Sequence, residues 1–198
     1  MKKYCVLLSS LFLMTLETMA QVPVDVLKFS SGAGLTYAGQ RQYTSYYVQP
    51  HRYYDSMWGV EHSLGYERMI WRFIGAGVNF DYCKSEQTKD GFDIGYENGY
   101  IGPCVVLATN FGRCFRLDGN LGIGASLFAD GGNRSFALGF RLGIGMEYRF
   151  GKSMGVGVEI VEHLSNFGDD NLNRYGQPFK DIYRASLLIG VRYYPKFK

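Results

Sequence analysis

The clearest pattern in the chain is strict alternation of apolar positions with small or polar ones. It is strongest over Phe136–Phe150. Phe136, Leu138, Phe140, Leu142, Ile144, Met146, Tyr148 and Phe150 share one parity; Ala137, Gly139, Arg141, Gly143, Gly145, Glu147 and Arg149 share the other. Successive side chains of a strand point to opposite faces, so a strand separates these two sets where a helix would mix them. Leu117–Phe128 repeats the pattern. Leu117, Leu121, Ile123, Ala125 and Leu127 stand against Arg116, Asp118, Asn120, Gly122, Gly124 and Ser126. The last segment does so again, with Tyr183, Ala185, Leu187, Ile189, Val191 and Tyr193 against Arg184, Ser186, Gly190 and Arg192.

Five more segments fit the template: Leu27–Ala38, Trp58–Arg68, Trp71–Cys83, Tyr96–Thr109 and Met154–Leu164. The apolar parity is carried by Phe29 and Leu35, by Val60 and Leu64, by Val78 and Phe80, by Ile101 and Val105, and by Val156 and Val158. Pro103 falls inside one of these segments and cannot donate to a ladder, which predicts a bulge or a locally broken bond there.

The polar parity carries Glu61, Glu67, Asp81, Arg116, Asp118, Arg141, Glu147, Arg149, Glu159, Arg184 and Arg192. A soluble barrel or sandwich turns its apolar face inward and its charges to water. A barrel in a bilayer does the reverse, with apolar side chains toward lipid and polar ones toward the lumen. No segment after Ala20 reads as a membrane-spanning helix. A chain that spans must then close into a barrel, because every backbone polar group in lipid needs a partner. The prediction is an all-β fold, an eight-stranded antiparallel up-and-down transmembrane β-barrel. Eight strands leave an interior that side chains just fill, and the mixed signs on the inward face predict ion pairs there and no conducting pore.

The connections sharpen the picture. Long ones are read at Gly39–Met57, Lys84–Gly95, Asp130–Arg134 and Phe167–Asp181; short ones lie near Met69-Ile70, Asn110–Arg113 and Gly151-Lys152. Outer-membrane barrels pair long outer loops with short periplasmic turns. Aromatic residues fall at the two ends of the segments, as expected of interfacial girdles. Tyr37, Trp58, Tyr82, Tyr96, Phe128, Phe136 and Tyr183 lie at the outer level; Phe29, Tyr66, Trp71, Phe111, Phe115, Tyr148, Phe150 and Tyr193 lie at the periplasmic level.

The first residues add an address. Met1-Lys2-Lys3, the apolar run Tyr4–Thr15 and Thr18-Met19-Ala20 have the layout of a secretory signal peptide. Cleavage is expected after Ala20, giving a leader over 1–20 and one barrel domain over 21–198. The expected location is the outer membrane of a Gram-negative bacterium. Losing Lys2, Lys3 and Glu17 leaves 19 basic and 17 acidic residues, a balance that gives no reason to expect a nucleic-acid partner. Cys83, Cys104 and Cys114 then remain, an odd number that argues against a disulfide framework.

The main candidate for chemistry is His163-Leu164-Ser165-Asn166-Phe167-Gly168. His163 and Ser165, two apart on a strand, share a face. A base beside a hydroxyl is the start of an activated nucleophile, and Asn166 with the Gly168 amide could stabilise an oxyanion. By parity the pair faces inward with Glu159, so a lipid-facing site needs a bulge near Val161 that leaves Glu162 inward. Asp169, Asp170, Asn171 and Asn173 offer oxygens of the kind calcium takes, with nothing in the spacing to fix them. No Cys/His cluster has metal-ligand spacing, and neither cofactor nor metal is expected. The stretch Gln40–Asp55, with Tyr43, Tyr46, Tyr47, Tyr53 and Tyr54 beside Arg41 and Arg52, has the composition of a binding surface.

Two resemblances follow from these residues. The Gly-x-Gly strands (Gly75-Ala76-Gly77, Gly122-Ile123-Gly124, Gly143-Ile144-Gly145), Tyr100-Ile101-Gly102-Pro103 and Gly145-Met146-Glu147-Tyr148-Arg149-Phe150 resemble the outer membrane protein β-barrel domain family, small barrels of the OmpA/OmpX type. That resemblance implies an architecture. Its expected contacts are outer-membrane lipid, lipopolysaccharide, the outer-membrane assembly machinery and a surface ligand at loop 39–57. The chain as a whole reads as a non-channel barrel with a role in membrane integrity or surface interaction through its outer loops. Many such barrels end on an aromatic residue, whereas this chain ends Pro195-Lys196-Phe197-Lys198. The string His163-Leu164-Ser165-Asn166-Phe167-Gly168 resembles the His-x-Ser-Asn-x-Gly motif of the lipid A 3-O-deacylase (PagL-type) family. That second resemblance implies an ester hydrolase with His163 as base, Ser165 as nucleophile and Asn166 as oxyanion donor. Gln177 stands near the place of the family's orienting Glu, and Asp181 is the nearest acid.

Overall fold

The computed structural model describes residues 25–41, 52–89, 92–112, 114–130, 133–167 and 179–195. The proposed leader and the centre of the tyrosine-rich stretch lie outside them. Eight strands follow one another: β1 (Asp25–Arg41), β2 (Arg52–Met69), β3 (Ile74–Lys89), β4 (Phe92–Phe111), β5 (Phe115–Asp130), β6 (Asn133–Arg149), β7 (Met154–Asn166) and β8 (Phe179–Tyr193). Each pairs antiparallel with its neighbours, and β1 pairs with β8 from Leu27↔Tyr193 to Gln40↔Phe179, which closes the barrel. Closure leaves no edge with unpaired backbone groups, the condition lipid imposes.

The predicted alternation of faces holds along every strand, two girdle aromatics apart. Leu121, Phe140, Ile144, Ile160 and Ile189 project outward and are exposed, as a lipid-facing band requires. Glu61, Glu67, Asp81, Arg116, Arg141 and Arg192 are buried in the lumen. Gly112 (φ 66°) and Gly151 (φ 133°) sit in two of the short turns, in backbone conformations that L side chains resist. The ladder between β4 and β5 skips Gly102 and Pro103, running from Ile101↔Ala125 to Cys104↔Gly122 with register unchanged. Pro103 therefore interrupts the ladder locally, without a bulge. Gly102 and Gly124 face each other there. A Cβ on Gly124 would come within 2.2 Å of the Ile101 carbonyl oxygen, so the close approach of the two strands depends on both glycines.

Two expectations need correction. The connections read as Lys84–Gly95 and Asp130–Arg134 are mostly strand, and Gly39–Met57 is strand at both ends, where β1 and β2 pair out to Arg41↔Arg52. β3 and β4 stay paired out to Lys89↔Phe92, and β5 and β6 out to Asp130↔Asn133. The second concerns the outer girdle. Tyr96 and Phe128 lie at the outer level, but they turn inward and are buried. With Met57, Phe167 and Ile182 they form an apolar cluster inside the outer mouth. The Tyr96 and Phe128 rings are 5.2 Å apart, and Phe128 and Phe167 6.0 Å. Trp58, Phe136 and Tyr183 do face lipid at that end, and Trp71, Phe111, Phe115, Tyr148 and Phe150 at the other.

Candidate functional site

The lumen is the chemically dense part of the molecule. Each inward position of a strand is separated from the next by one lipid-facing residue, so the charges stack in layers along the bore. Nearest the short turns, Lys28 on β1 lies 2.5 Å from Glu67 on β2 and also contacts Asp118 on β5. Arg116 donates to the same Glu67 at 2.8 Å. One layer up, Arg141 on β6 donates from Nε to Asp81 on β3 at 2.8 Å and from Nη2 to Glu159 on β7 at 3.2 Å. Asn120 donates to Glu159 at 3.2 Å and accepts from Arg141. Arg192 on β8 reaches Ser30 at 2.7 Å and Glu159 at 3.4 Å. Above these, Arg184 Nε lies 2.9 Å from Glu61 Oε2, and Ser186 donates to the same carboxylate. The apolar cluster lies above this layer, inside the outer end of the bore.

Buried ions are tolerable only when paired and hydrogen-bonded, and a carboxylate accepting from a guanidinium is the strong form of that pairing. Here the pairs cross the bore instead of following one strand pair. Arg116 to Glu67 joins β5 to β2, and Arg141 to Asp81 joins β6 to β3. The network therefore crosses the interior and ties opposite walls together.

The residues predicted for hydrolysis are divided between the two faces. His163 and Ser165 are buried in the lumen. Asn166 and Asp181 face outward, where Asn166 donates to Asp181 at 2.8 Å. The ladder of β7 runs without a shift from Gly155 to Asn166, and Val161 points inward while Glu162 points outward. No bulge turns His163 toward lipid. Ser165 donates to Ser126 at 2.7 Å, beneath the apolar cluster. His163 Nε2 lies 3.4 Å from Glu61 Oε1 and 3.6 Å from Asp81 Oδ2, and the His163 ring lies 5.2 Å from the Tyr100 ring. The four residues do not meet in one site on either face. The Gly168 amide, the oxygens of Asp169, Asp170, Asn171 and Asn173 offered to calcium, and Gln177 fall outside the described residues.

Sequence reading did not single out Lys28, which joins Glu67 and Asp118, or the neighbourhood of His163, Glu61 and Asp81. Parity alone places all of these inward. It does not say which inward residues meet across the bore.

A closed barrel of eight strands, apolar outside and ion-paired within, defines a membrane-spanning β-barrel. The chain belongs to the outer membrane protein beta-barrel domain family, whose sequence profile matches residues 7–194. Among solved structures it is similar to Neisserial surface protein A, at 14% identity and a TM-score of 0.60, over 85% of this chain and 97% of that one. OprG from Pseudomonas aeruginosa gives 12% identity and a TM-score of 0.49, over 86% and 95%. The outer membrane enzyme PagL gives 17% identity and a TM-score of 0.42, over 84% and 97%. At such identities the likeness concerns the fold. No curated protein matches the chain at a significant level.

Proposed function

We propose that this protein is a non-conducting barrel of a Gram-negative outer membrane, acting in membrane integrity or surface contact through its outer loops. The observation that carries this reading is the filled lumen. Crossing ion pairs such as Arg141–Asp81 and Arg116–Glu67 occupy the bore, and Met57, Tyr96, Phe128, Phe167 and Ile182 cover its outer end. A role that needs passage through the bore has no path to use. What remains are the lipid-facing wall and the outer loops. Outer-leaflet lipid and lipopolysaccharide are the expected neighbours of the wall, and the tyrosine-rich stretch 39–57 is the expected contact surface. The outer-membrane assembly machinery is the expected partner during insertion.

The deacylase reading finds no support in this geometry. Its base and nucleophile point away from the lipid that would be its substrate.

The test is complementation. A strain lacking the protein receives either the intact chain or one with residues 42–51 replaced by Gly and Ser. Detergent sensitivity and binding of lipopolysaccharide-coated beads are then measured. The reading expects the intact chain to restore one of the two phenotypes and the loop variant to lose it. Absence of both phenotypes in the deletion strain, or full restoration by the loop variant, refutes it.

A further inference from the structure

We propose that Glu162 and His62, two polar side chains on the lipid-facing wall, join copies of this chain side by side in the membrane, Glu162 of one copy bonding to His62 of the next. Among the described residues they are the only side chains of Asp, Glu, Lys, Arg or His that point outward between the two aromatic girdles. Their flanks are apolar and exposed: Val60 and Leu64 beside His62, and Leu142, Ile160 and Leu187 around Glu162.

Depth makes both positions costly. His62 sits midway along β2 between Trp58 and Tyr66. Glu162 pairs with Leu142, midway along β6 between Phe136 and Tyr148. Both therefore lie near the middle of the apolar band, where there is no water to bond them. Ionisable groups at such depth almost always face a cavity or pair with one another. Neither side chain has a hydrogen bond or ion pair among the described residues. Nor do they serve each other within one barrel, because β8 and β1 stand between β7 and β2.

A second copy supplies what each lacks. Copies inserted in the same direction float at the same depth, so Glu162 of one comes level with His62 of another. The two groups are complementary wherever the proton resides: a ring N–H donates to the carboxylate, or the protonated carboxyl donates to a ring nitrogen. The receiving side also has a place for the incoming side chain. His62 lines a recess of about 390 Å³ in the wall, together with Trp58, Tyr82 and Lys84. Lys84 is engaged there by Glu86 at 2.6 Å, which leaves His62 as the available donor. On the giving side, the cross-strand neighbour Ala185 is small and leaves the flank of Glu162 open. Donor and acceptor lie on different parts of the wall, so the contact is head to tail and builds rings or rows in the plane of the membrane.

The test is sedimentation equilibrium of protein purified from membranes, in density-matched detergent micelles. The wild type is expected to exceed the monomer mass as the protein-to-detergent ratio rises. E162L and H62L each put leucine at a lipid-facing position, so the barrel is expected to stay folded, and each is expected to associate at least tenfold more weakly. An equimolar mixture of E162L and H62L is expected to regain association and to stop at the dimer, because one Glu162–His62 contact remains possible between them and no second. The exchanged protein, E162H with H62E, is expected to associate as the wild type does. A monomeric wild type overturns the proposal, as does undiminished association of E162L, or a mixture no better than its components. A monomeric wild type that carries a bound phospholipid which H62L loses also overturns it, and assigns the recess to lipid.

Discussion

The two halves of the bore are filled in opposite ways. Toward the short turns and the middle, charge dominates the lumen, with Lys28, Arg116, Arg141 and Arg192 interleaved among carboxylates beside a small apolar patch of Met69, Cys104, Val106 and Ala108. At the outer mouth it is apolar, with Tyr96, Phe128 and Phe167 in contact across it. The charged half specifies partners. Each guanidinium has a direction and a carboxylate to meet, so it fixes which strand lies opposite which. The apolar half is non-directional, and its contribution scales with the area it hides. The comparison teaches that one barrel can separate two tasks. Ion pairs set the register of the walls, and a hydrophobic cover keeps those pairs out of water, where they would be worth little.

The largest expected effect breaks the charged half. Arg141→Met strands Asp81 and part of the Glu159 carboxylate, and should cost about 4 kcal/mol, as removal of one partner of a buried pair does. Urea unfolding in lipid vesicles, followed through lipid-facing Trp58 and Trp71, measures it. Adding Asp81→Leu should recover much of the loss, because the pair is then removed instead of broken. A double variant no better than the single one would mean that the pair is not coupled.

Phe128→Ala tests the apolar half. It removes a buried ring that touches two others and should cost about 3 kcal/mol, toward the low end for such a truncation because the rim can relax. Its effect should add to that of Ser30→Ala, far down the bore, within about 0.5 kcal/mol. Strong coupling between the two would erase the division drawn here. The smallest effect is expected at the boundary. Ser165→Ala removes one hydrogen bond to Ser126 and should cost about 1 kcal/mol. Mass spectrometry of lipid A from cells carrying it should match that from cells with the intact protein. An acyl chain lost only with intact Ser165 would revive the hydrolase reading.

Much of this was legible in the sequence, and the failures have physical causes. Within the bilayer, lipid on one side and a packed lumen on the other force a period of two, so Phe136–Phe150 announces its strand and both its faces. Beyond the bilayer that constraint lapses. Lys84-Ser85-Glu86-Gln87-Thr88-Lys89 is polar on both faces and reads as a loop, although its backbone remains paired with β4. By residue type Tyr96 and Phe128 belong to the outer girdle, while their even numbering places them with Asn98 and Ser126 inside. Parity was the better guide, because aromatic rings suit a lumen mouth as well as an interface. The grouping of His163 with Glu61 and Asp81 carried no sequence signal. Glu61 and Asp81 stand on the paired strands β2 and β3, but β7 meets them only across the closed barrel, and no spacing along the chain announces such a meeting.

The measurement that bears most directly on the account is single-channel current across a planar bilayer holding the purified, folded protein. The filled bore predicts no unitary steps, and none in the combined Tyr96→Ala and Phe128→Ala protein either, since the ion pairs beneath still occupy the lumen. Stable, ion-selective steps from the intact protein would contradict it, because they require a continuous water path where the structure places crossing arginines and carboxylates.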